Sequence, residues 1–442
     1  MGSPRIFASA ALSVLLIPLF AAPSCALPPL HTRGESLVDD LDRPVILRGV
    51  NFGNWLVLET YFYGVKFQDE RSLWALVKSR FGAEGLERVR TAHRSSWITA
   101  ADFGRVRALG LNSVRVPFWS DVLESDDKPG EYSAEGWKWL DFAVDQCEAA
   151  GIYCILDLHG APGGQSGADH TGASGRNEYW ASKADHQRAA DIWRAVAARY
   201  RGRSAIAAFD LLNEPMGAPS SAALIDSADE LVKAVRSADP DRLVVIEDAY
   251  RGLELFPTPA SKGWTGVIFS QHHYATFGVP DPKPEMVEKY MAEEFPKSVA
   301  EQKRLGTPIF VGEWNVMDKA AGGTGMTQRY VSEMESRGWS WAIWTYKQMK
   351  VKGVSPDEFW SFYRNDKPQD LPDFEHDALK EILRKIALLR TENLTLFGPM
   401  RDGVADPGAG VMARAEPYVK AVNMRLALLT ANPAPFGASF RP

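Results

Sequence analysis

The chain has 442 residues, 45% of them hydrophobic and 24% charged, with 36 glycines, 28 prolines, 14 tryptophans and only three cysteines. That balance excludes a disordered chain, a collagen and a disulfide-stapled miniprotein, and the length can bury a core without covalent help. A net charge of −6 with no long basic run argues against a nucleic-acid partner, whose affinity rests on phosphate neutralisation, and leaves a neutral substrate such as a sugar open.

Residues 1–26 read as a secretory signal: Arg5, an apolar stretch from Ile6 to Phe20, then small residues and Pro23. The stretch is short for a bilayer span and is interrupted by Ser9, Ser13 and Pro18. Ser24-Cys25-Ala26 has the small-x-small form of a cleavage site, and a lipid anchor on Cys25 is the less favoured alternative. No later window is apolar enough to span a membrane. The mature chain is therefore expected to be exported, secreted or periplasmic, without a membrane span, and monomeric.

Short apolar, β-branched runs then recur at 44–51, 112–117, 152–158, 205–213, 243–247, 267–274, 308–314 and 339–346. Most are separated by helical patterns: 100–109, the face Trp137, Leu140, Val144 and Cys147, the face Ile192, Val196 and Tyr200, then 222–237, 284–305, 327–337 and 375–389. Eight strands alternating with helices predict an α/β fold, a single (β/α)₈ (TIM) barrel over residues 27–392. The rival, an open doubly wound sheet, lacks a GxGxxG after a first strand, and the loop 160–175 has no Lys-Ser/Thr to hold a phosphate. Residues 56–97 form a long aromatic-rich insertion after the first strand. From Leu396 onward clustered Gly and Pro predict a loose tail within 393–442, with one further helix at 418–430. Cys147 and Cys154, seven residues apart, match no zinc or redox spacing and are expected to be buried free thiols.

Polar residues gather where the strands end, which in a barrel is the active-site rim. A lone carboxylate there is unremarkable. Two glutamates directly after apolar strands, Glu214 in FDLLNE and Glu313 in IFVGE, need a stronger account, because an unpartnered buried carboxylate is costly. Paired carboxylates facing a cleft are what glycoside hydrolysis requires, one as proton donor and one as nucleophile or as base for water. With no HExxH or related spacing, no metal and no cofactor are expected. His273 should face the opposite side of its strand from His272 and Tyr274, and is read as structural.

Taken together, Asn213-Glu214-Pro215, Glu313, Arg115 in VRVP, His159 in DLHG and His272-x-Tyr274 resemble family 5 glycoside hydrolases. Within that family the chain is most similar to the exo-β-1,3-glucanases. The similarity is carried by RGVNFGNWLVLE, SSWITAADFGRVRALGLNSVRVPFW, DLHGAPGGQSGADHTG, FDLLNEP, QHHYATF, FVGEW and WTYK, between about Arg48 and Lys347. The resemblance implies a retaining barrel hydrolase with Glu214 as acid/base and Glu313 as nucleophile. It implies that Asn213 holds the sugar 2-hydroxyl, that Arg115 and Tyr274 lie at Glu313, and that His159 and His272 line the reacting subsite. On the same basis Trp344 floors that subsite, and Glu59 and Asp169 bind the non-reducing sugar of a β-linked glucan or glucoside.

One position departs from the family pattern. The fungal exo-glucanases carry an aromatic where this chain has Ala168, whereas Phe277 matches its usual partner, so a two-ring clamp around the leaving sugar is reduced to one ring. An aryl or lipid-linked glucoside thereby becomes a further substrate class. The alternatives are an endo-β-1,4-glucanase or mannanase and, from another class, a non-catalytic polysaccharide-binding barrel.

Overall fold

The computed structural model describes residues 27–59, 67–279, 281–316, 322–349, 361–365 and 370–405. The expected signal over 1–26, Cys25 and the helix expected at 418–430 lie outside these described residues.

A hairpin of β1 (Leu30–Arg33) and β2 (Ser36–Asp39) precedes the eight runs, which all form parallel strands. These are β3 (Arg48–Asn51), β4 (Ser113–Trp119), β5 (Tyr153–Gly160), β6 (Ile206–Asp210), β7 (Leu243–Glu247), β8 (Val267–His273), β9 (Ile309–Trp314) and β10 (Ser340–Ile343). Each pairs with the next, and β10 pairs with both β9 and β3, closing the barrel. The fold is the (β/α)₈ barrel that the alternation predicted.

Helices follow each strand: α1 (Glu70–Trp97) and α2 (Ala100–Ala108) after β3, then α3 (Ser120–Leu123) and α4 (Ala134–Ala150) after β4. Then come α5 (Lys183–Tyr200), α6 (Ser221–Ala238), α7 (Pro259–Lys262), α8 (Pro284–Leu305) and α9 (Gly323–Ser336), with α10 (Leu379–Ala387) and α11 (Gly398–Ala405) after β10. Ser133, Ser182 and Ser220 start α4, α5 and α6 by accepting a hydrogen bond from a first-turn N–H, satisfying a donor the helix cannot pair itself.

Strand alternation sorts the side chains. On β5, Cys154, Leu156 and Leu158 join the layer between strands and helices, while Tyr153 and Ile155 join a second cluster with Leu47, Val245, Ile268 and Phe310 inside the barrel. Leu37 of the hairpin plugs that inner cluster from below. The continuation of the same inward rows is polar and forms the site. Cys147 and Cys154 are buried and free, as expected. His273 faces outward into Tyr290, Phe295, Tyr330 and Trp339, and burial pushes its imidazole down to about 3, so it is a neutral core residue.

Two segments differ from the sequence expectation. The second half of the insertion is the 28-residue helix α1, started by a reciprocal Asp69–Ser72 capping box and bent at Gly82 (φ 71°). Its Trp74 and Trp97 are buried; Trp97 donates to the Gly53 carbonyl at 2.8 Å, and Trp55, just ahead of the insertion, donates to the Arg94 carbonyl of the helix at 2.9 Å. The chain after Leu396 is also not loose as far as Ala405: α11 packs on α9, burying Met400 and Val404. Just before it, β13 (Thr395–Leu396) completes a small sheet with β11 (Lys347–Gln348) and β12 (Tyr363–Arg364). Glycine and proline content masked that helix, whose driving force is burial of a short apolar face rather than propensity. No helix among the described residues is long and apolar enough to cross a membrane.

Candidate active site

The carboxyl ends of the strands surround a cavity of about 660 Å³. It is lined by Glu59, His159, Ala168, Asp169, Glu214, His272, Tyr274, Phe277, Glu313 and Trp344, together with His170, Met216, Tyr250 and Tyr290. The expected site residues that line it therefore converge from β3, β5, β6, β8, β9 and β10, although they are scattered over nearly 300 positions. Arg115 and Asn213 lie just beneath, fully buried.

Arg115, pointing inward from β4, organises the floor. Its Nη1 donates to Glu313 Oε1 at 2.8 Å and to Asn51 Oδ1 at 3.0 Å, and its Nη2 donates to Asn213 Oδ1 at 2.8 Å and to Glu247 Oε1 at 3.0 Å. Its Nε donates to Asp210 Oδ2 at 2.8 Å, and Asp157 Oδ2 lies 3.1 Å from Nη2. A planar guanidinium is the side chain that can address so many acceptors at fixed angles. Burial pushes the Asp210 carboxyl up to about 7 despite Arg115, because Glu247 crowds it with like charge.

We expect Arg115→Met to cost about 3–5 kcal/mol of stability in urea unfolding, since it strands buried carboxylates without their counter-charge. Arg115→Lys should recover only part of this, because an ammonium cannot reproduce the fork.

Glu313, at the end of β9, receives Arg115 on Oε1 and the Tyr274 hydroxyl on Oε2 at 2.7 Å. Both of its oxygens are thus held by hydrogen-bond donors. Glu214 follows β6 on a left-handed backbone (φ 38°), a conformation uncommon outside glycine and frequent at functional sites. Its N–H is fixed by Glu247 Oε2 at 2.6 Å. Its Oε1 accepts from His272 Nδ1 at 2.7 Å and from the Tyr250 hydroxyl at 2.6 Å.

Burial pushes the Glu214 carboxyl up, but the His272 hydrogen bond, the neighbouring His170 and His272 charges and the Tyr250 hydroxyl outweigh it and hold it low in the open site. Burial opposes a charge on His272, yet Glu247, Glu313 and Glu214 raise it well above an ordinary histidine. Oxygens of Glu214 and Glu313 and a nitrogen of His272 all lie within 4.8 Å of one another.

Around the carboxylates, His159 stacks on Trp344 (5.5 Å between centroids, 10° between planes) and contacts Asp157 through Nδ1 at 2.7 Å. Asp169 opens a single 3₁₀ turn, Asp169–Thr171, held against the barrel by two close approaches. A Cβ on Gly172 would lie 2.5 Å from the Trp119 ring, and one on Gly160 2.3 Å from the Thr171 carbonyl oxygen. Phe277 stands on the rim, 72% exposed, with Tyr274 beside it at 6.0 Å.

Two buried groups have donor spacing suited to a metal, Asp157–Asp210–Glu247 and Glu214–His272–Glu313. In the first, all three carboxylates contact the single Arg115 guanidinium, and in the second, His272 supplies the cation. Donor sets whose oxygens are already engaged by the protein's own cations are poor metal cages.

Sequence reading missed Tyr250, His170 and Glu247. Glu247 carried a usable signal, since LVVIE ends in a glutamate just as IFVGE does. Gln165 was also missed. Its Nε2 donates to the carbonyls of His159 and Asn213 at 2.8 and 2.7 Å, stapling the ends of two neighbouring strands.

A parallel barrel whose strand ends bring two carboxylates to one sugar-sized cavity defines the glycoside hydrolase class. Comparison with known proteins agrees: the family model of cellulases (glycosyl hydrolase family 5) matches residues 78–350. The chain belongs to glycosyl hydrolase family 5 and is a glycosidase. A probable glucan 1,3-beta-glucosidase A of Neosartorya fischeri is 32% identical over 335 residues, spanning 69% of this chain and 74% of that protein. A beta-xylosidase of Phanerodontia chrysosporium is 28% identical over 347 residues, spanning 74% and 72%. Among solved structures, rutinosidase from Aspergillus niger superposes with a TM-score of 0.58 at 22% identity, covering 72% of this chain and 95% of that one. An endogalactoceramidase superposes at 0.57 with 19% identity, covering 82% and 85%.

Proposed function

We propose that this protein is an exported, retaining exo-β-glucosidase that releases glucose from β-1,3-linked glucan, with Glu313 as nucleophile and Glu214 as acid/base. The observation that carries the reading is the pair of facing carboxylates, whose oxygens approach within 4.8 Å. Retaining glycosidases hold their carboxyl groups about 5–5.5 Å apart, whereas inverting enzymes need about 6.5–9.5 Å to admit a water. The resemblance of residues 1–26 to a secretory signal supports export.

In the first step a Glu313 oxygen bonds to the anomeric carbon while the bond to the leaving oxygen breaks, and that oxygen takes its electron pair and the proton of Glu214. The open site holds Glu214 low, so its proton must be favoured as sugar enters. Displacing water strengthens the effect of burial, and the Glu313 charge across the gap then favours the protonated form. Once Glu313 is an ester that charge is gone. Glu214 reverts to a carboxylate and takes a proton from the water that releases the sugar. Asn213, its amide oxygen held by Arg115, offers Nδ2 to the 2-hydroxyl, a contact that strengthens in the transition state. Trp344 gives the C–H face of the sugar an aromatic floor. Glu59 and Asp169 bind hydroxyls at the closed, non-reducing end, which makes the action exo.

A second reading concerns the leaving group. Ala168 opposite the exposed Phe277 leaves one aromatic ring and an apolar rim of Met216 and Tyr250, which suits a flat aryl aglycone as well as a second glucose. The test is a product profile. We expect glucose as the first and dominant product from laminari-oligosaccharides, formed as the β-anomer by NMR, with slower release from cello-oligosaccharides and ready cleavage of aryl β-glucosides. Rapid viscosity loss of a long β-1,4-glucan or mannan would instead mark an endo enzyme, and an α-anomeric first product would exclude retention.

A further inference from the structure

The two oxygens of Glu214 have different surroundings. A carboxyl oxygen has two lone-pair positions, and on Oε1 both are taken, by His272 Nδ1 at 2.7 Å and by the Tyr250 hydroxyl at 2.6 Å. A proton on Oε1 would collide with one of those donors, so it must sit on Oε2. The two donors are not equivalent. His272 is buried on β8 and also lies 3.4 Å from Glu247 Oε1 and 3.7 Å from Glu313 Oε2, so it serves the whole cluster. Tyr250 is 49% exposed at the cavity mouth, and among the described residues its hydroxyl donates to Glu214 alone. Its backbone is built for that reach. Ala249 and Tyr250 are both left-handed (φ 55° and 58°), a costly conformation for residues with a Cβ, which persists only where the surroundings enforce it. Asp248 enforces it here: Oδ1 accepts from the Tyr250 N–H at 2.9 Å and Oδ2 from Gln271 Nε2 at 3.0 Å. Arg251 Nη2 then donates to the carbonyls of Met216 (3.1 Å) and Ala218, tying this turn to the loop that carries Glu214.

We propose that Tyr250 is a positioning residue for proton delivery: its hydroxyl confines the Glu214 proton to Oε2, the oxygen free to meet the leaving group, and stabilises the negative charge that appears on the carboxyl as the proton departs. The inference rests on Glu214 being the acid/base. In that step the proton on Oε2 passes to the leaving oxygen, which keeps the electron pair of its broken bond to the anomeric carbon, while a Glu313 oxygen forms the new bond there. Tyr250 keeps its own proton throughout, since burial and the charges of Glu214 and Glu313 oppose its ionisation. The carboxyl gains charge on the way to the transition state, so a hydrogen bond donated to it tightens there. Such a contact contributes to rate and not only to ground-state geometry.

Tyr250→Phe removes the hydroxyl and keeps the ring at the mouth. The test compares kcat/KM, each protein at its own pH optimum, for phenyl β-glucoside, whose leaving group needs a proton, and for 2,4-dinitrophenyl β-glucoside, whose leaving group does not. The variant should lose ~10–100-fold on the first, the range of a hydrogen bond to a charged group, and less than ~3-fold on the second. In a Glu214→Ala background the same change should cost less than ~3-fold on either substrate, because the group it positions is gone. Equal losses on both substrates, no loss on phenyl β-glucoside, or an undiminished loss in the Glu214→Ala background would overturn the proposal. Thermal unfolding of each variant separates these losses from misfolding. If Glu214→Ala in the otherwise unaltered protein shows no leaving-group dependence, the acid/base assignment itself fails, whatever Tyr250 does.

Discussion

Glu313→Ala should reduce turnover on every β-glucoside by on the order of 10⁴-fold or more, because on the proposed assignment it removes the nucleophile that forms the covalent intermediate. The loss should be independent of leaving group, since a better leaving group does not replace a missing nucleophile. Glu313→Gln should be nearly as poor while keeping the Arg115 and Tyr274 contacts, which separates chemistry from packing. Pre-steady-state measurement with 2,4-dinitrophenyl β-glucoside should show a burst in the parent protein and none in either variant. A burst in Glu313→Ala would place the nucleophile elsewhere.

With Glu214 as the proposed acid/base, Glu214→Ala should cost about 10²–10⁴-fold, the usual contribution of a general acid, and the cost should grow as the leaving group becomes poorer. With 2,4-dinitrophenyl β-glucoside, bond cleavage proceeds but release of the glycosyl-enzyme lacks its base. Azide, a nucleophile that needs no base, should then restore turnover and yield β-glucosyl azide, the product of two inversions at one carbon. Glu313→Ala should give no β-azide under the same conditions. The reverse pattern would exchange the two roles.

Much of the barrel is legible in the sequence because a parallel strand buried on both faces reads as a short apolar run with a polar residue at its end. Phe209-Asp210-Leu211-Leu212-Asn213-Glu214 is a case where the polar residues sit at the point of termination, whereas Arg115 points inward from within β4. The proposed catalytic pair, Asn213, His159, His272 and Tyr274 could be put forward from such endings together with the resemblance. Tyr250 could not. Its ring reaches Glu214 because Ala249 and Tyr250 are both left-handed (φ 55° and 58°), and no glycine marks that turn. His170 was equally opaque, since its orientation depends on the amide of Asn213 and hence on Arg115, a chain of contacts that spacing cannot display. The helix α1 was obscured by its aromatics, which read as a loop lining until Trp97 is seen to hydrogen-bond the Gly53 carbonyl and Trp55, ahead of the helix, to bond the Arg94 carbonyl within it.

The contacts of Gly160 and Gly172 with Thr171 and Trp119 bear on how this enzyme could change its diet. The turn bearing Asp169 and His170 packs on the ends of β4 and β5 with no room for even a methyl group at Gly172 or Gly160, so its seat depends on glycine at both positions. New leaving-group tastes are therefore open to mutation one side chain at a time, at Ala168, Tyr250 and Phe277 around the mouth, while the turn that carries Asp169 keeps its seat. Diversification of this scaffold is a matter of refitting the doorway, not of rebuilding the room.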